Sequence, residues 1–127
     1  YGLNLKIHLK GAVDDVIEHI KDARVFVLSS IYEGMPNALM EAMAAGVPVI
    51  SSDYSPGGAR ELIENKVDGL IYNVGDETGL YNSLKQIIDK EEYAELMGQN
   101  ARKKMELHTE EIIFGKWEKY IKAIINI

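Results

Sequence analysis

The sequence predicts a doubly wound, parallel α/β sheet followed by extra helices, and three observations carry that expectation. Residues 25–28 (VFVL) and 47–50 (VPVI) are short, unbroken apolar runs, the pattern of parallel strands covered on both faces. Between them NALMEAMAAG is rich in strong helix formers, so the three segments read as one βαβ unit. Beyond Asp76 the apolar residues recur only at helical spacing.

Taken in order, Leu5, Ile7 and Leu9 alternate with Lys6, His8 and Lys10, which predicts a strand over 5–9 with one wet face, as at a sheet edge, ended by Gly11. Val13, Val16, Ile17 and Ile20 follow at helical spacing behind Asp14 and Asp15, acids favoured at the positive end of a helix dipole; His19 falls on the polar side. The helix of the βαβ unit spans 38–45, with Asn37 as its expected N-cap and Gly46 at its C-terminal turn. SPGGARELI turns into another helix after Asp53, and GLIYNV gives a strand from Gly69. Leu80, Leu84, Ile87 and Ile88 mark the next helix, and Tyr93, Leu96, Met97, Ala101 and Met105 the one after. A last helix, capped by Thr109, carries Ile113, Trp117, Ile121 and Ile124. Such an apolar stripe suits a core position or, less commonly, a membrane surface. The whole of 1–127 reads as one domain, with a doubly wound part over about 1–90 and C-terminal helices over about 91–127.

Composition excludes several classes. A net charge of −6 without clustered Lys and Arg argues against a nucleic-acid surface. The absence of cysteine removes disulfides and thiolate metal sites, the three histidines lie far apart, and a reducing cytoplasm is the expected location. The best apolar run is interrupted by Glu41, Gly46 and Pro48 and is too short to span a bilayer. A first residue of Tyr rather than Met suggests a piece of a longer protein.

Two acids stand out in the apolar stretch. Glu41 is the sole polar residue over 38–45, and a carboxylate in so apolar a helix needs a cation, several donors or a place on a cleft. An ion pair elsewhere in the fold and a ligand cleft both satisfy that need. Glu33 lies in the loop after the strand at 25–28, at the carboxyl end where open α/β sheets bind ligands. Glu41 follows about a turn into the helix, so both can face one crevice, and an ionised carboxylate suits the paired hydroxyls of a sugar or ribose. Between them Gly34 allows a ligand close to the backbone, Pro36 stiffens the turn, and the first helical N–H groups suit an anion such as phosphate. Taken by itself, a glycine-rich turn of this kind is better accounted for by ordinary turn chemistry.

The stretch EGMPNALME resembles the E-x7-E motif of retaining glycosyltransferases of the GT-B fold, in family 4. VFVLSSIYEGMPNALMEAMAAGVPVISSD and GGARELIENKVDGLIYNVGD resemble the nucleotide-sugar-binding half of those enzymes, a Rossmann-like doubly wound sheet, and the likeness runs from about Leu5 to about Leu84. The resemblance implies that Glu33, the catalytic candidate, contacts hydroxyls of the donor hexose and that Glu41 holds the ribose hydroxyls. It implies further that Gly34, Met35, Pro36, Asn37 and Ala38 present backbone to the donor sugar and diphosphate. Ser55, Pro56, Gly57 and Gly58 resemble a second glycine-rich loop beside the donor, while Arg60 and Glu61 are expected in surface or interloop ion pairs.

The same resemblance implies transfer of a hexose, with retention, from a nucleotide-diphosphate sugar (UDP-linked) to an acceptor hydroxyl in bacterial polysaccharide, lipopolysaccharide or capsule biosynthesis. No metal and no other cofactor is expected. Family members carry two further strands before the one that 5–9 resembles, supplying an Arg and a Lys for the diphosphate, and an N-terminal domain for the glycan or lipid-linked acceptor. None of these is in this sequence, so the piece is expected to be inactive alone and its first strand to pair in a new way or not at all. The parent is expected in the cytoplasm or peripherally at the inner face of the membrane. The apolar end at Ile124, Ile125 and Ile127 is expected to leave a patch prone to self-association. A sugar-nucleotide epimerase and a non-catalytic binding module share this architecture and remain alternatives.

Overall fold

The computed structural model describes residues 2–3 and 6–125. Along the chain run α1 (Val16–Ile20), β1 (Phe26–Leu28), α2 (Asn37–Ala44), β2 (Val49–Ser52), α3 (Gly58–Leu62), β3 (Leu70–Tyr72), α4 (Glu77–Asp89) and α5 (Glu91–Met105). A single 3-10 turn at Glu106–His108 leads into α6 (Glu110–Ile125). The three strands are parallel in the order β1-β2-β3, with Phe26 opposite Val49 and Ile50 opposite Leu70.

All four residues of β2 are buried, whereas those of the outer strand β1 are half-buried. Because successive side chains of a strand point to opposite faces, Val49 and Ile50 seed two cores. On one face Val49 packs with Leu39, Ala42 and Met43 of α2, Leu62 of α3, and Ala101 and Met105 of α5. On the other Ile50 packs with Leu70 and Tyr72 of β3, Ile87 of α4, and Ala94 and Met97 of α5. Helix α5 thus serves both layers. Its approach to α2 requires Gly98, since a methyl group there would collide with the carbonyl oxygen of Gly46. Asp68, buried before β3, accepts from the Glu64 N–H at 2.7 Å and from Lys104 Nζ of α5 at 2.8 Å, tying that turn to the helix.

Three sequence expectations need correction. No strand forms over the described part of 5–9: the N–H groups of Lys6 and Ile7 bond back to the Leu3 carbonyl, and Leu9 is 96% exposed. Leu5 lies outside the described residues. A strand with one wet face needs a neighbour to bond its edge, and β1 pairs only with β2. Asn37 is the first helical residue and Pro36 the N-cap, without a side-chain bond to the helix. The third correction concerns 47–50: Val47 donates to the Ala42 carbonyl and closes α2, so β2 begins at Val49.

Helix α6 buries none of its residues, and its main contact is the 3-10 turn before it. Phe114, Trp117, Tyr120, Ile121, Ile124 and Ile125 are all exposed, with Trp117 and Tyr120 stacked edge to face at 6.2 Å. The stripe is therefore on the surface rather than in a core; Ile127 lies outside the described residues. No described helix is long and apolar enough to cross a membrane.

After β2, Asp53 receives two hydrogen bonds from the Arg60 guanidinium of α3, Nε to Oδ1 at 2.7 Å and Nη2 to Oδ2. Those bonds, aided by the guanidinium charge against a smaller opposing effect of desolvation, hold the Asp53 carboxyl below its ordinary value of 3.8. A depressed carboxyl stabilises the fold above its unfolded value, and the contribution fades as pH falls through the folded value. Arg60→Gln should therefore move the Asp53 carboxyl resonance titration upward, and its stability deficit relative to wild type should be full near neutrality and shrink below pH 3.8. An unchanged titration would remove the pair from the account.

Core and surface substitutions should separate sharply in chemical denaturation. Met43→Ala should cost about 2–5 kcal/mol through its cavity, and Gly98→Ala about 1–3 kcal/mol or more through overpacking. Trp117→Ala should stay within about 0.5 kcal/mol.

Candidate functional site

The site forms at the carboxyl ends of β1 and β2, where the parallel register continues past the strands. Tyr32 pairs with Ser55 as a parallel bridge, the Glu33 N–H donates to the Ser55 carbonyl at 3.3 Å, and Ser52 Oγ donates to the Ser30 carbonyl at 2.5 Å. The turn carrying Glu33 is thereby laid against the turn carrying Gly57 and Gly58. The contact is close: a Cβ at Gly58 would lie 3.0 Å from the Gly34 carbonyl oxygen and 3.3 Å from Tyr54 Oη. Gly57, at φ +110°, takes the left-handed turn that starts α3, a conformation open to glycine. Beside Gly34 there is open space, room for a ligand against the backbone.

Glu33 is half-buried, and its Oε1 accepts from Ser30 Oγ at 2.7 Å. Glu41 is half-buried on α2, and its carboxylate has no hydrogen bond or ion pair with any described residue. The ion-pair explanation for its place in an apolar helix is therefore not met. The N-terminus of α2 also differs from the other helices. It has no acidic residue in its first turn and no side-chain cap, whereas α1, α3, α4, α5 and α6 each carry a glutamate there. The positive end of its dipole and its free N–H groups are left for an anion.

Of the sequence-predicted residues, Glu33, Gly34, Ser55, Gly57 and Gly58 come together in the two turns. Met35 and Asn37 are exposed beside them, Pro36 is buried as the N-cap, and Ala38 is half-buried at the start of α2. Glu41 follows further along that helix, without a bond to Glu33. Glu33 and Glu41 line neither of two cavities formed by residues of neighbouring turns. A cavity of about 310 Å³ lies by Asp53, Arg60, Asn65 and Asn73, and another of about 280 Å³ by Ser29, Ile31, Tyr72 and Asp76. Glu33 follows β1, an outer strand of the three-stranded sheet, and Glu41 lies on the helix after it.

Two participants escaped the sequence reading. Ser30 orients Glu33, and its only signal was its place in SSIYEG. Tyr54 sits beneath both turns, 1% exposed; burial pushes its phenol up from the usual tyrosine value, and the charge of Glu33 adds to the effect.

Residues 1–104 match the model of the family described as glycosyl transferases group 1. Among its relatives, an α-1,4-N-acetyl-D-galactosaminyltransferase of Campylobacter jejuni acting on a GalNAc-GalNAc-diNAcBac-PP-undecaprenol is 31% identical over 124 residues, 98% of this chain and 34% of its own. The UDP-Gal:α-D-GlcNAc-diphosphoundecaprenol α-1,3-galactosyltransferase of Escherichia coli is 34% identical over 105 residues, 81% of this chain and 26% of its own. The chain thus spans about a third of the first relative's length and about a quarter of the second's. Among solved structures, sucrose-phosphate synthase from Thermosynechococcus elongatus superposes with a TM-score of 0.71 at 28% identity, over 83% of this chain and 26% of that one. TarM superposes at 0.68 and 26% identity, over 76% of this chain and 19% of that one. Sheet, turns and C-terminal helices have the fold of a GT-B glycosyltransferase domain. On the match over 1–104, supported by these relatives, the chain belongs to the glycosyl transferases group 1 family.

Proposed function

We propose that this chain is the donor-binding part of a retaining glycosyltransferase that uses a nucleotide-diphosphate sugar. One observation carries the reading: two glycine-bearing turns meet at the ends of adjacent parallel strands, at the foot of a helix whose positive end is uncompensated and whose one carboxylate is unpaired. In this reading Glu33, oriented by Ser30, accepts from hydroxyls of the donor hexose, and Glu41 accepts from the ribose hydroxyls. The backbone at Gly34, Met35, Pro36, Asn37 and Ala38 and the turn at Ser55, Gly57 and Gly58 enclose the sugar and diphosphate. The N–H groups at the start of α2 stabilise the departing diphosphate, where negative charge builds in the transition state. Neither a metal nor another cofactor enters these steps.

The relatives' names supply the substrate class. One uses UDP-Gal, and both act on sugars carried by undecaprenol diphosphate. For the whole protein we propose a UDP-linked donor and a lipid-linked glycan acceptor, met in the cytoplasm at the inner face of a membrane, in the assembly of a surface polysaccharide.

The acids divide the labour, so their variants should differ. In the protein expressed as its whole reading frame, Glu33→Gln should lower kcat about 100-fold with little change in donor KM, and Glu41→Ala should raise donor KM about tenfold. Equal and negligible effects would remove both assignments, and conversion of the donor to its epimer without acceptor would replace transfer by epimerisation.

The 127-residue chain by itself should bind uridine diphosphate weakly and transfer nothing, because its net charge of −6 opposes a diphosphate. Calorimetry showing low-micromolar affinity would contradict this.

A further inference from the structure

Tyr54 is the one described residue with a buried side-chain polar atom lacking a partner. It is 1% exposed, yet its hydroxyl reaches no acceptor within bonding distance. A buried O–H left without an acceptor is unfavourable, and such a group calls for a partner or a functional role. The hydroxyl lies beside Gly58, on the side where Gly58 touches the Gly34 carbonyl, and so directly beneath the joined turns. Its ring is fixed by position: Asp53 just before it is held both by the Tyr72 carbonyl, through its N–H at 2.7 Å, and by Arg60, while the Gly57 N–H bonds to the Tyr54 carbonyl at 2.9 Å. These bonds hold the backbone on both sides of Tyr54, and its burial confines the ring beneath the turns.

We propose that Tyr54 is a positioning residue of the donor site, its hydroxyl donating to the Glu33 carboxylate when that side chain takes up the sugar. This rests on the donor-site reading above. Glu33 is suited to receive the bond. Ser30 occupies Oε1, and a carboxylate has further acceptor sites for both a phenol and a sugar hydroxyl. Burial is the main cause that pushes the phenol above the usual tyrosine value, and the nearby charge of Glu33 adds to it. A bond from a buried, immobile phenol to an ionised carboxylate is of the stronger, charge-assisted kind. It would hold Glu33 and the Gly34 backbone at one height above the sheet, which a serine on the same loop cannot do alone.

The test is Tyr54→Phe in the protein expressed as its whole reading frame, with steady-state kinetics on UDP-hexose and calorimetry on uridine diphosphate. Removing an unpaired hydroxyl leaves the packing intact, so the melting midpoint should match wild type. We expect kcat to fall about tenfold, donor KM to change less than about threefold and uridine diphosphate affinity to stay constant. In a Glu33→Gln background Tyr54→Phe should have no further effect, because both changes remove one arrangement. Wild-type kcat in Tyr54→Phe, or a loss that adds in full to that of Glu33→Gln, would overturn the proposal. The donor-site reading fails by a different result, unchanged uridine diphosphate affinity in Glu41→Ala, and absence of transfer by the wild-type protein overturns both.

Discussion

The fold depends on a strand with no wet face. Every residue of β2 is buried, and Val49 and Ile50 look into opposite cores, so three short strands must be covered twice over. Helices α2 and α3 do this on one side and α4 on the other, while α5 contributes Ala101 and Met105 to the first core and Ala94 and Met97 to the second. Because the strands are parallel, all strand-to-helix turns then fall on the same rim. The site is the by-product of that rule: turns distant in sequence become neighbours because strands that feed them are neighbours, and the pairing of Tyr32 with Ser55 extends the sheet's register into them.

Charge at the helix N-termini is distributed in keeping with an anionic guest at α2. Five described helices place a glutamate in their first turn, where it offsets the dipole, and α2 does not. In a chain with six more acids than bases this is where negative charge has been withheld. Glu33 and Glu41 flank the spot without occupying it, and Arg60, the nearby cation, is engaged by Asp53. Because β1 is an outer strand, the sheet ends beside the turn that carries Glu33.

Much of this was legible in the residues. Unbroken apolar runs and a stretch of helix formers fix a βαβ unit locally, and the two glutamates were visible because a carboxylate is out of place in such company. The failures share a cause, which is that pattern reports a face but not its neighbour. Leu5, Ile7 and Leu9 alternate as an edge strand does, yet the described residues there find no edge to bond. Trp117, Ile121 and Ile124 make a stripe indistinguishable from a core stripe, and α6 lies open. Asn37 has the chemistry of a cap, but Pro36 before it, unable to continue a helix backward, takes that place. Tyr54 was invisible for a related reason: its burial beneath Glu33 follows from strand register, which no local window contains.

The placing of α2 joins stability to the site. Its C-terminal turn abuts α5 through Gly46 and Gly98, with no room for a side chain between them, and its N-terminal turn bears the uncapped N–H groups and the loop of Glu33. The helix has eight residues, so the two ends stand about 12 Å apart on a stiff rod. A shift forced at the α5 end is transmitted along that rod, because Leu39, Ala42 and Met43 are fully buried and leave it no slack for bending. The glycine at 98 therefore helps to set the height at which Glu41 and the first-turn amides stand, so a close approach of helices in the core is also a determinant of the geometry of the rim.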